Sequence, residues 1–284
     1  MRYESPKTTN EAVALLSSEK GSAHILAGGT DLMVRLRMDM IEPDLMVDIK
    51  RIPAMQSVQK TANGFKIGAA VSGAELAENK ALVKAWPGVV EATNLIGSDQ
   101  IQSRATMVGN LCNASPAADS VPAMVAAGAK AVVVGQKRRT VAVENVVTGP
   151  GTLSLARDEI IESITLPKGG ANVGDAYLRF IPRTEMDIAV VGAGICITLS
   201  KGVVAKAKVV LGAVAPTVVV VPDAAKAIIG TKLDAAALEK LAEACSAACN
   251  PIDDKRGTVA YRTHVAGVLA KRAAKIAYKR AGGK

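Results

Sequence analysis

The segment Arg104–Pro122, RATMVGNLCNASPAADSVP, limits what this chain can fold into more than any other stretch. It has too many Gly, Asn, Ser and Pro residues for an ordinary helix or strand, and too many apolar residues for a solvated loop. Asn110 and Asn113 offer hydrogen-bonding side chains, and Gly109 lets the backbone approach a bound group. Asp119 precedes an apolar run typical of a helix, where an aspartate suits a cap. The pattern indicates either a ligand-binding loop or a tight packing loop between two elements.

A second glycine-bearing segment lies near the N-terminus. His24–Ala27 reads as a short buried strand, Gly28–Asp31 (GGTD) as a turn, and Leu32–Met38 as the start of a helix. In such an arrangement, backbone N–H groups and the positive end of a helix point at one place, which favours an anion. The spacing is not GxGxxG, and no acidic residue ends a second strand at the distance typical of a dinucleotide-binding Rossmann fold. A glycine turn of this kind is weak evidence by itself.

Length and composition favour about two globular domains. The chain has 284 residues, of which 49% are hydrophobic but only 2% aromatic. Stacking on protein rings therefore cannot be the main way in which this chain holds a base or a flavin. No apolar run reaches the roughly 20 residues that span a bilayer, and the start resembles no secretory signal. We expect a cytoplasmic protein with no membrane span.

The cysteines and histidines argue against a metal centre in this chain. Its four cysteines are Cys112, Cys196, Cys245 and Cys249, with no CxxC pair and only two histidines. This pattern predicts neither a disulfide framework nor a metal or iron–sulfur site, and it suits a reducing compartment.

The net charge of +9 leaves several partners open. A basic chain could bind nucleic acid, the pyrophosphate of a dinucleotide, or an acidic partner subunit. The scarcity of aromatic residues argues against a platform that stacks single-stranded bases. In the basic C-terminal segment, Val265, Val268, Leu269 and Ile276 recur at helical spacing. We therefore favour an amphipathic docking helix over a nucleic-acid contact.

The C-terminal third has its own pattern. Lys168–Gly170 and Asn172–Gly174 form the best linker candidate. Strand-like runs follow, and then two helix-like segments; these cover 176–181, 188–199, 203–213 and 218–221, then 235–248 and 261–281. Consecutive strands followed by helices predict an antiparallel sheet backed by helices.

Together the two glycine-bearing motifs resemble a known family. LAGGTDL at 26–32 and ATMVGNLCNASPAAD at 105–119 are similar to the two flavin-binding motifs of the medium subunit of molybdenum hydroxylases, the family of xanthine dehydrogenase, carbon monoxide dehydrogenase and 4-hydroxybenzoyl-CoA reductase. The similarity covers nearly the whole chain, including PDLMVDIKRI, FKIGAAV, DEIIESITLP and RFIPRTEMDIAVVGAGI. The resemblance implies an α+β protein: a two-lobed α/β FAD-binding domain at 1–170, with lobes of about 1–56 and 57–170, and an antiparallel-sheet-plus-helices C-terminal domain at 175–284.

The resemblance also implies a set of cofactor-binding residues for non-covalent FAD. The first motif would wrap the pyrophosphate through Ala27, Gly28, Gly29, Thr30, Asp31 and Leu32. The second would approach the ribityl and phosphate groups through Thr106, Met107, Val108, Gly109 and Asn110. The resemblance places Asp119 at the ribityl chain or the ring end, and the apolar Ile96 and Ile161 beside the ring. It places Arg179 near the flavin, at a position that usually carries Lys or Arg.

The implied function is electron transfer by an FAD-containing oxidoreductase subunit. A large subunit would hold the molybdenum cofactor and a small subunit two 2Fe-2S clusters, together forming a heterotrimer. Electrons would pass between the clusters and an external acceptor or donor, and NAD is one candidate for the acceptor. No Ser–His–Asp or metal-hydrolase arrangement is visible, so we expect no catalysis by side chains.

The chain departs from the family pattern at one position. Val108 replaces the first of two glycines that usually precede the asparagine, and a valine preserves the backbone geometry only if its φ is negative. One alternative is therefore a flavin-free assembly subunit of the same complex. A nucleic-acid-binding protein, suggested by charge alone, is a further alternative that would not need the two glycine loops.

Overall fold

A computed structural model describes residues 1–283 of the chain. Its strands are β1 (Arg2–Glu4), β2 (Ala23–Leu26), β3 (Leu45–Asp48), β4 (Val58–Thr61), β5 (Gly64–Gly68), β6 (Lys130–Val134), β7 (Arg138–Ala142), β8 (Val147–Gly149), β9 (Thr152–Leu153), β10 (Ile160–Pro167), β11 (Val173–Phe180), β12 (Val191–Ser200), β13 (Val203–Gly212) and β14 (Val219–Val220). Its α-helices are α1 (Thr9–Ser18), α2 (Leu32–Arg37), α3 (Gly73–Glu78), α4 (Lys80–Ala85), α5 (Pro87–Thr93), α6 (Asp99–Gln102), α7 (Met107–Cys112), α8 (Ser120–Ala126), α9 (Pro222–Ile228), α10 (Ala235–Ala247) and α11 (Val259–Arg280).

The first lobe is a small parallel sheet with the strand order β1-β3-β2. The central strand β3 is buried along its whole length, as its apolar sequence LMVD requires. Helix α1 is capped by Thr8, whose hydroxyl accepts a hydrogen bond from the N–H of Glu11 at 3.2 Å. It packs on β3. Leu26 and Asp48 are paired in register, so the segments after β2 and β3 leave the sheet side by side.

The second lobe is built on a mixed-length antiparallel sheet with the order β4-β5-β10-β6-β7. Helices α3 to α8 lie between β5 and β6 in the chain, and the segment Arg104–Pro122 begins after α6 and ends within α8. Strand β10 contributes the buried Ile160, Ile161 and Ile164 to a hydrophobic core that also includes buried side chains of the first lobe. The two lobes therefore share one hydrophobic core.

The C-terminal part is a four-stranded antiparallel sheet, β11-β12-β13-β14. Helix α11 packs against β11 and β12, and α10 packs against α11. Helix α11 buries Val265 and Leu269 and leaves Val268 and Ile276 partly buried, which confirms the predicted amphipathic docking helix. Its Arg262 is itself buried and donates to the carbonyl of Val190 at 2.8 Å. The predicted α+β fold is confirmed.

Some local predictions were wrong. The segment Arg104–Pro122 contains a regular helix, α7, because Thr106 caps it and Met107 and Leu111 bury their side chains. The predicted linker at Asn172–Gly174 largely belongs to β11. A Cβ at Gly174 would lie 2.1 Å from the carbonyl oxygen of Ala277, so this glycine allows α11 to approach the sheet. Within residues 1–283, no helix has the length and apolarity needed to cross a membrane.

Candidate functional site

A cleft of about 330 Å³ opens between the two N-terminal lobes. The structure brings most of the predicted FAD-binding residues into its lining, from both glycine-bearing motifs and from the apolar positions: Ala27, Gly28, Gly29, Thr30, Asp31, Leu32, Ile96, Thr106, Val108, Gly109, Asn110 and Ile161. Met107 is different, since its side chain is buried in the core. Segments that lie about 75 residues apart in the sequence therefore meet at one concave surface.

The first glycine motif forms the turn between β2 and α2. Gly29 has a φ of +77°, a conformation that residues with a Cβ rarely adopt. A Cβ on Gly28 would lie 1.9 Å from the carbonyl oxygen of Arg104. Glycine is required at position 28 because the two motifs touch each other through their backbones.

The turn leaves backbone donors free along the cleft. Within residues 1–283, no hydrogen bond uses the N–H groups of residues 28 to 32, although the carbonyl of Gly29 accepts from the N–H of Met33 at 3.0 Å. Unpaired N–H groups that converge in a turn provide partial positive charge and favour an anionic ligand. This property fits the pyrophosphate of FAD.

The second motif adds donors from the opposite wall. Thr106 caps α7, and its hydroxyl accepts a hydrogen bond from the N–H of Gly109 at 2.9 Å. Among the described residues, nothing accepts from the N–H groups of Met107 and Val108 in the first turn of this helix. Val108 belongs to α7 and has no positive φ, so its backbone meets the condition that the replacement of glycine requires.

Another part of the lining is aliphatic. Ile96 and Ile161 both line it, together with Ile49 and Leu155. These side chains offer apolar surface without a protein aromatic ring. They suit a flat ring system held between aliphatic groups.

Asp119 and Arg179 form a buried pair outside this lining. The carboxylate of Asp119 accepts from the guanidinium of Arg179 at 2.6 Å and from the hydroxyl of Tyr177 at 2.9 Å. Burial raises the pKa of Asp119 to about 6, although Arg179 and Tyr177 act to lower it. The side chain makes no capping hydrogen bond to α8, contrary to the expectation for this aspartate. Ser120 joins the pair to the cleft because its hydroxyl donates to the side chain of Asn110 at 2.7 Å.

Lys50 is a functional candidate that the motifs did not reveal. Its ammonium group donates to the carbonyl of Ala27 at 3.0 Å and lies 2.8 Å from Asp48. Burial acts to raise the pKa of Asp48, but hydrogen bonds from Lys50 and Tyr3 outweigh it and lower that pKa. Lys50 thus holds the backbone of Ala27, the residue that precedes the glycine turn. Asp48, which ends β3 next to the end of β2, is the signal that could have identified it. The prediction that no acidic residue ends a second strand at the distance typical of a Rossmann fold was wrong.

Three further residues line the cleft but belong to neither glycine-bearing motif. His24, Arg35 and Arg157 come from β2, α2 and the segment before β10. His24 lies two residues before the first glycine-bearing motif, 26–32. Burial, and then the charge of Arg35, lower its pKa.

Comparisons with known proteins agree with this architecture. Residues 1–169 match the FAD binding domain in molybdopterin dehydrogenase, and residues 176–277 match the CO dehydrogenase flavoprotein C-terminal domain. The carbon monoxide dehydrogenase medium chain of Afipia carboxidovorans is 31% identical, over 98% of this chain and 97% of that protein. The xanthine dehydrogenase FAD-binding subunit of Escherichia coli O157:H7 is 28% identical, over 99% of this chain and 97% of that protein.

A solved structure shows the same fold. Carbon monoxide dehydrogenase from Hydrogenophaga pseudoflava, in a form that lacks the Mo-pyranopterin moiety of the molybdenum cofactor, matches with a TM-score of 0.94 and 31% identity. The match covers 99% of this chain and 98% of that one.

Fold and cleft together define a two-lobed flavoprotein with a C-terminal α+β domain. The chain belongs to the molybdopterin dehydrogenase FAD-binding family, as the match over residues 1–169 shows. This membership confirms the predictions of an oxidoreductase flavoprotein subunit and of FAD as the cofactor of this chain.

Proposed function

We propose that this chain is the electron-transfer subunit of a molybdenum, iron–sulfur and flavin complex. Its FAD would pass electrons between 2Fe-2S clusters in a small subunit and an external acceptor, while a large subunit holds the molybdenum cofactor. The observation that carries this proposal is the convergence of two donor-lined loops, at Gly28–Leu32 and Thr106–Gly109, in one cleft. When bound, FAD supplies the conversion between one-electron and two-electron transfer.

The protein's part is to bind and orient the cofactor. The free N–H groups of residues 28 to 32 and of Met107 and Val108 would hold the phosphates. Ile96 and Ile161 would flank the ring and exclude water from it. The buried pair of Asp119 and Arg179 would stabilise the ring end of the site, through Ser120 and Asn110.

The relatives support a proposal for the assembly. Two of them are described as medium chains of carbon monoxide dehydrogenase, which indicates that such a chain works beside other subunits. We propose a cytoplasmic heterotrimer with no nucleic-acid partner. We also propose a domain division at 170–175, because one hydrophobic core lies mostly before this point and a second lies after it.

The first test is the visible spectrum of the purified full chain, followed by acid release of the chromophore. We expect flavin bands and one FAD per chain. In the complete complex, removal of FAD should abolish electron transfer to the external acceptor while substrate still reduces the iron–sulfur clusters. A chain that is colourless and takes up no added FAD would instead favour the assembly subunit. Undiminished turnover without flavin would refute the electron-transfer role.

A matched pair of glycine substitutions tests the binding pose. Gly29 and Gly128 both have positive φ, +77° and +74°, but only Gly29 lines the cleft. Gly29→Ala and Gly128→Ala should each lose about 1 to 2 kcal/mol of stability from backbone strain. Only Gly29→Ala should also weaken FAD binding, because it disturbs the donor-lined turn. Equal FAD affinity in both variants, measured by fluorescence titration, would contradict the assigned pose.

A further inference from the structure

The glycine turn and the apolar wall leave one property of the cleft unexplained, its cationic side chains. Arg35 and Arg157 line it from opposite lobes, one on α2 and the other just before β10. Backbone N–H groups supply only partial charge, whereas a pyrophosphate carries full negative charges. A guanidinium group offers both full charge and paired donors that match phosphate oxygens.

Arg35 is anchored through its backbone and free at its side chain. Its N–H donates to the carbonyl of Asp31 at 3.0 Å, which places it one turn beyond the glycine motif. Among residues 1–283, its guanidinium forms no hydrogen bond or ion pair, although it lies near enough to His24 to affect that ring electrostatically. Arg37 lies on the same helix but does not line the cleft.

Arg157 joins the two lobes at the edge of the cleft. Its Nη2 donates to the carbonyl of Glu19 at 2.8 Å and to the carbonyl of Gly21. Its Nε and Nη1 have no acceptor within the described part of the chain. One side of this guanidinium is therefore fixed by the first lobe, and the other side is available to a ligand.

The acidic residues of the cleft leave this charge largely uncompensated. Glu159 lines the cleft, but Arg139 neutralises it through paired hydrogen bonds of 2.7 Å. Asp31 also lines the cleft, so the two arginines face one unpaired carboxylate. The cleft therefore keeps a net positive charge, from Arg35 one turn after the glycine motif and from Arg157 near the start of β2.

We propose that Arg35 and Arg157 bind the pyrophosphate of FAD from opposite lobes and thereby select FAD over uncharged riboflavin. This inference rests on the proposed FAD-binding function of the same cleft. Because one arginine belongs to each lobe, phosphate binding also ties the lobes together around the cofactor.

The test uses the full chain stripped of flavin and titrated separately with FAD and with riboflavin. Arg35→Gln and Arg157→Gln should each raise the Kd for FAD about tenfold, the usual effect of losing one charge-assisted hydrogen bond. The Kd for riboflavin should stay within about twofold, and Arg37→Gln should change neither. The dependence of FAD affinity on salt should be weaker in both cleft variants than in the wild type.

Three results would distinguish failure of the arginine assignment from failure of the proposed FAD-binding function. Unchanged FAD affinity in both cleft variants would overturn the assignment of the arginines and leave FAD binding intact. Equal weakening of FAD and riboflavin would also overturn it, because it would indicate a packing role. Failure of the unmodified chain to bind FAD would refute the proposed function itself. Thermal unfolding of each variant checks that the fold is retained.

Discussion

At the residue scale, Asp175 shows how burial makes one side chain sensitive to pH. Its carboxylate accepts from the N–H of Val89 at 3.0 Å at the start of α5, while its other oxygen has no partner among the described residues. Burial raises the pKa of Asp175 to about 6, above its ordinary value of 3.8, although backbone hydrogen bonds from Gly88 and Val89 act to lower it. The folded state therefore holds this proton more tightly than the unfolded state does.

We expect this group to destabilise the fold as pH rises. Its contribution is fully favourable below pH 3.8 and is lost as pH rises through about 6. Asp175→Asn removes the titration and keeps an oxygen that accepts from Val89. Between pH 4 and pH 7, the wild type should lose about 2 to 3 kcal/mol of unfolding free energy relative to this variant. Urea unfolding at several pH values measures the difference.

The control is Asp223→Asn, in an exposed ion pair with Lys226. Its unfolding free energy should follow that of the wild type at every pH within this range. If the difference in unfolding free energy between the wild type and Asp175→Asn stays constant from pH 4 to pH 7, burial does not raise the pKa of this carboxylate.

At the scale of elements, α7 connects local sequence to the binding site. Thr106 is its only side-chain cap, and the free N–H groups of Met107 and Val108 depend on the direction of this first turn. Thr106→Ala should lose about 1 kcal/mol of stability and also weaken FAD binding, because the uncapped turn frays. Thr106→Ser keeps the hydroxyl and should retain most of both. Similar losses in the Ala and Ser variants, by urea unfolding and FAD titration, would contradict this role of the cap.

Much of the architecture could be predicted from local patterns, but contacts between distant segments could not. The β-rich runs and the two long C-terminal helices follow from alternation and helical periodicity. The helix α7 was missed because Gly109 and Asn110 argue locally against a helix, whereas burial of Met107 and Leu111 decides in its favour. Gly174 suggested a flexible linker, but it allows close packing against Ala277.

The residues of the candidate site also fall into two groups, those that local sequence patterns can select and those that they cannot. The glycine motifs could be selected because their function depends on backbone freedom, which sequence reveals directly. Arg35 and Arg157 could not be selected, because isolated basic residues look alike until the fold shows which of them face the cleft. The ion pair of Asp119 and Arg179 joins residues 60 positions apart, and no local pattern links them.

At the scale of the whole molecule, helices α5 and α8 of the FAD-binding part rest on the C-terminal sheet. Helix α8 packs on β12 so closely that a Cβ on Gly194 would lie 2.6 Å from the carbonyl oxygen of Pro122. Asp175 of β11 accepts a hydrogen bond from the start of α5. Arg280 of α11 donates to Glu91, which also lies in α5, at 3.0 Å. The FAD-binding part and the C-terminal part therefore stabilise each other.

This mutual support predicts one cooperative unfolding transition. Trp86, the only tryptophan of the chain, is buried in the N-terminal core and donates to the carbonyl of Pro167 at 2.9 Å, so its fluorescence reports on that part. Far-UV circular dichroism also includes the C-terminal sheet and α11. In urea, both signals should change at the same midpoint. Gly194→Ala should lower that common midpoint by forcing α8 away from β12, at a cost of about 1 to 3 kcal/mol. Two separate urea midpoints in the wild type would show that the FAD-binding part and the C-terminal sheet unfold independently.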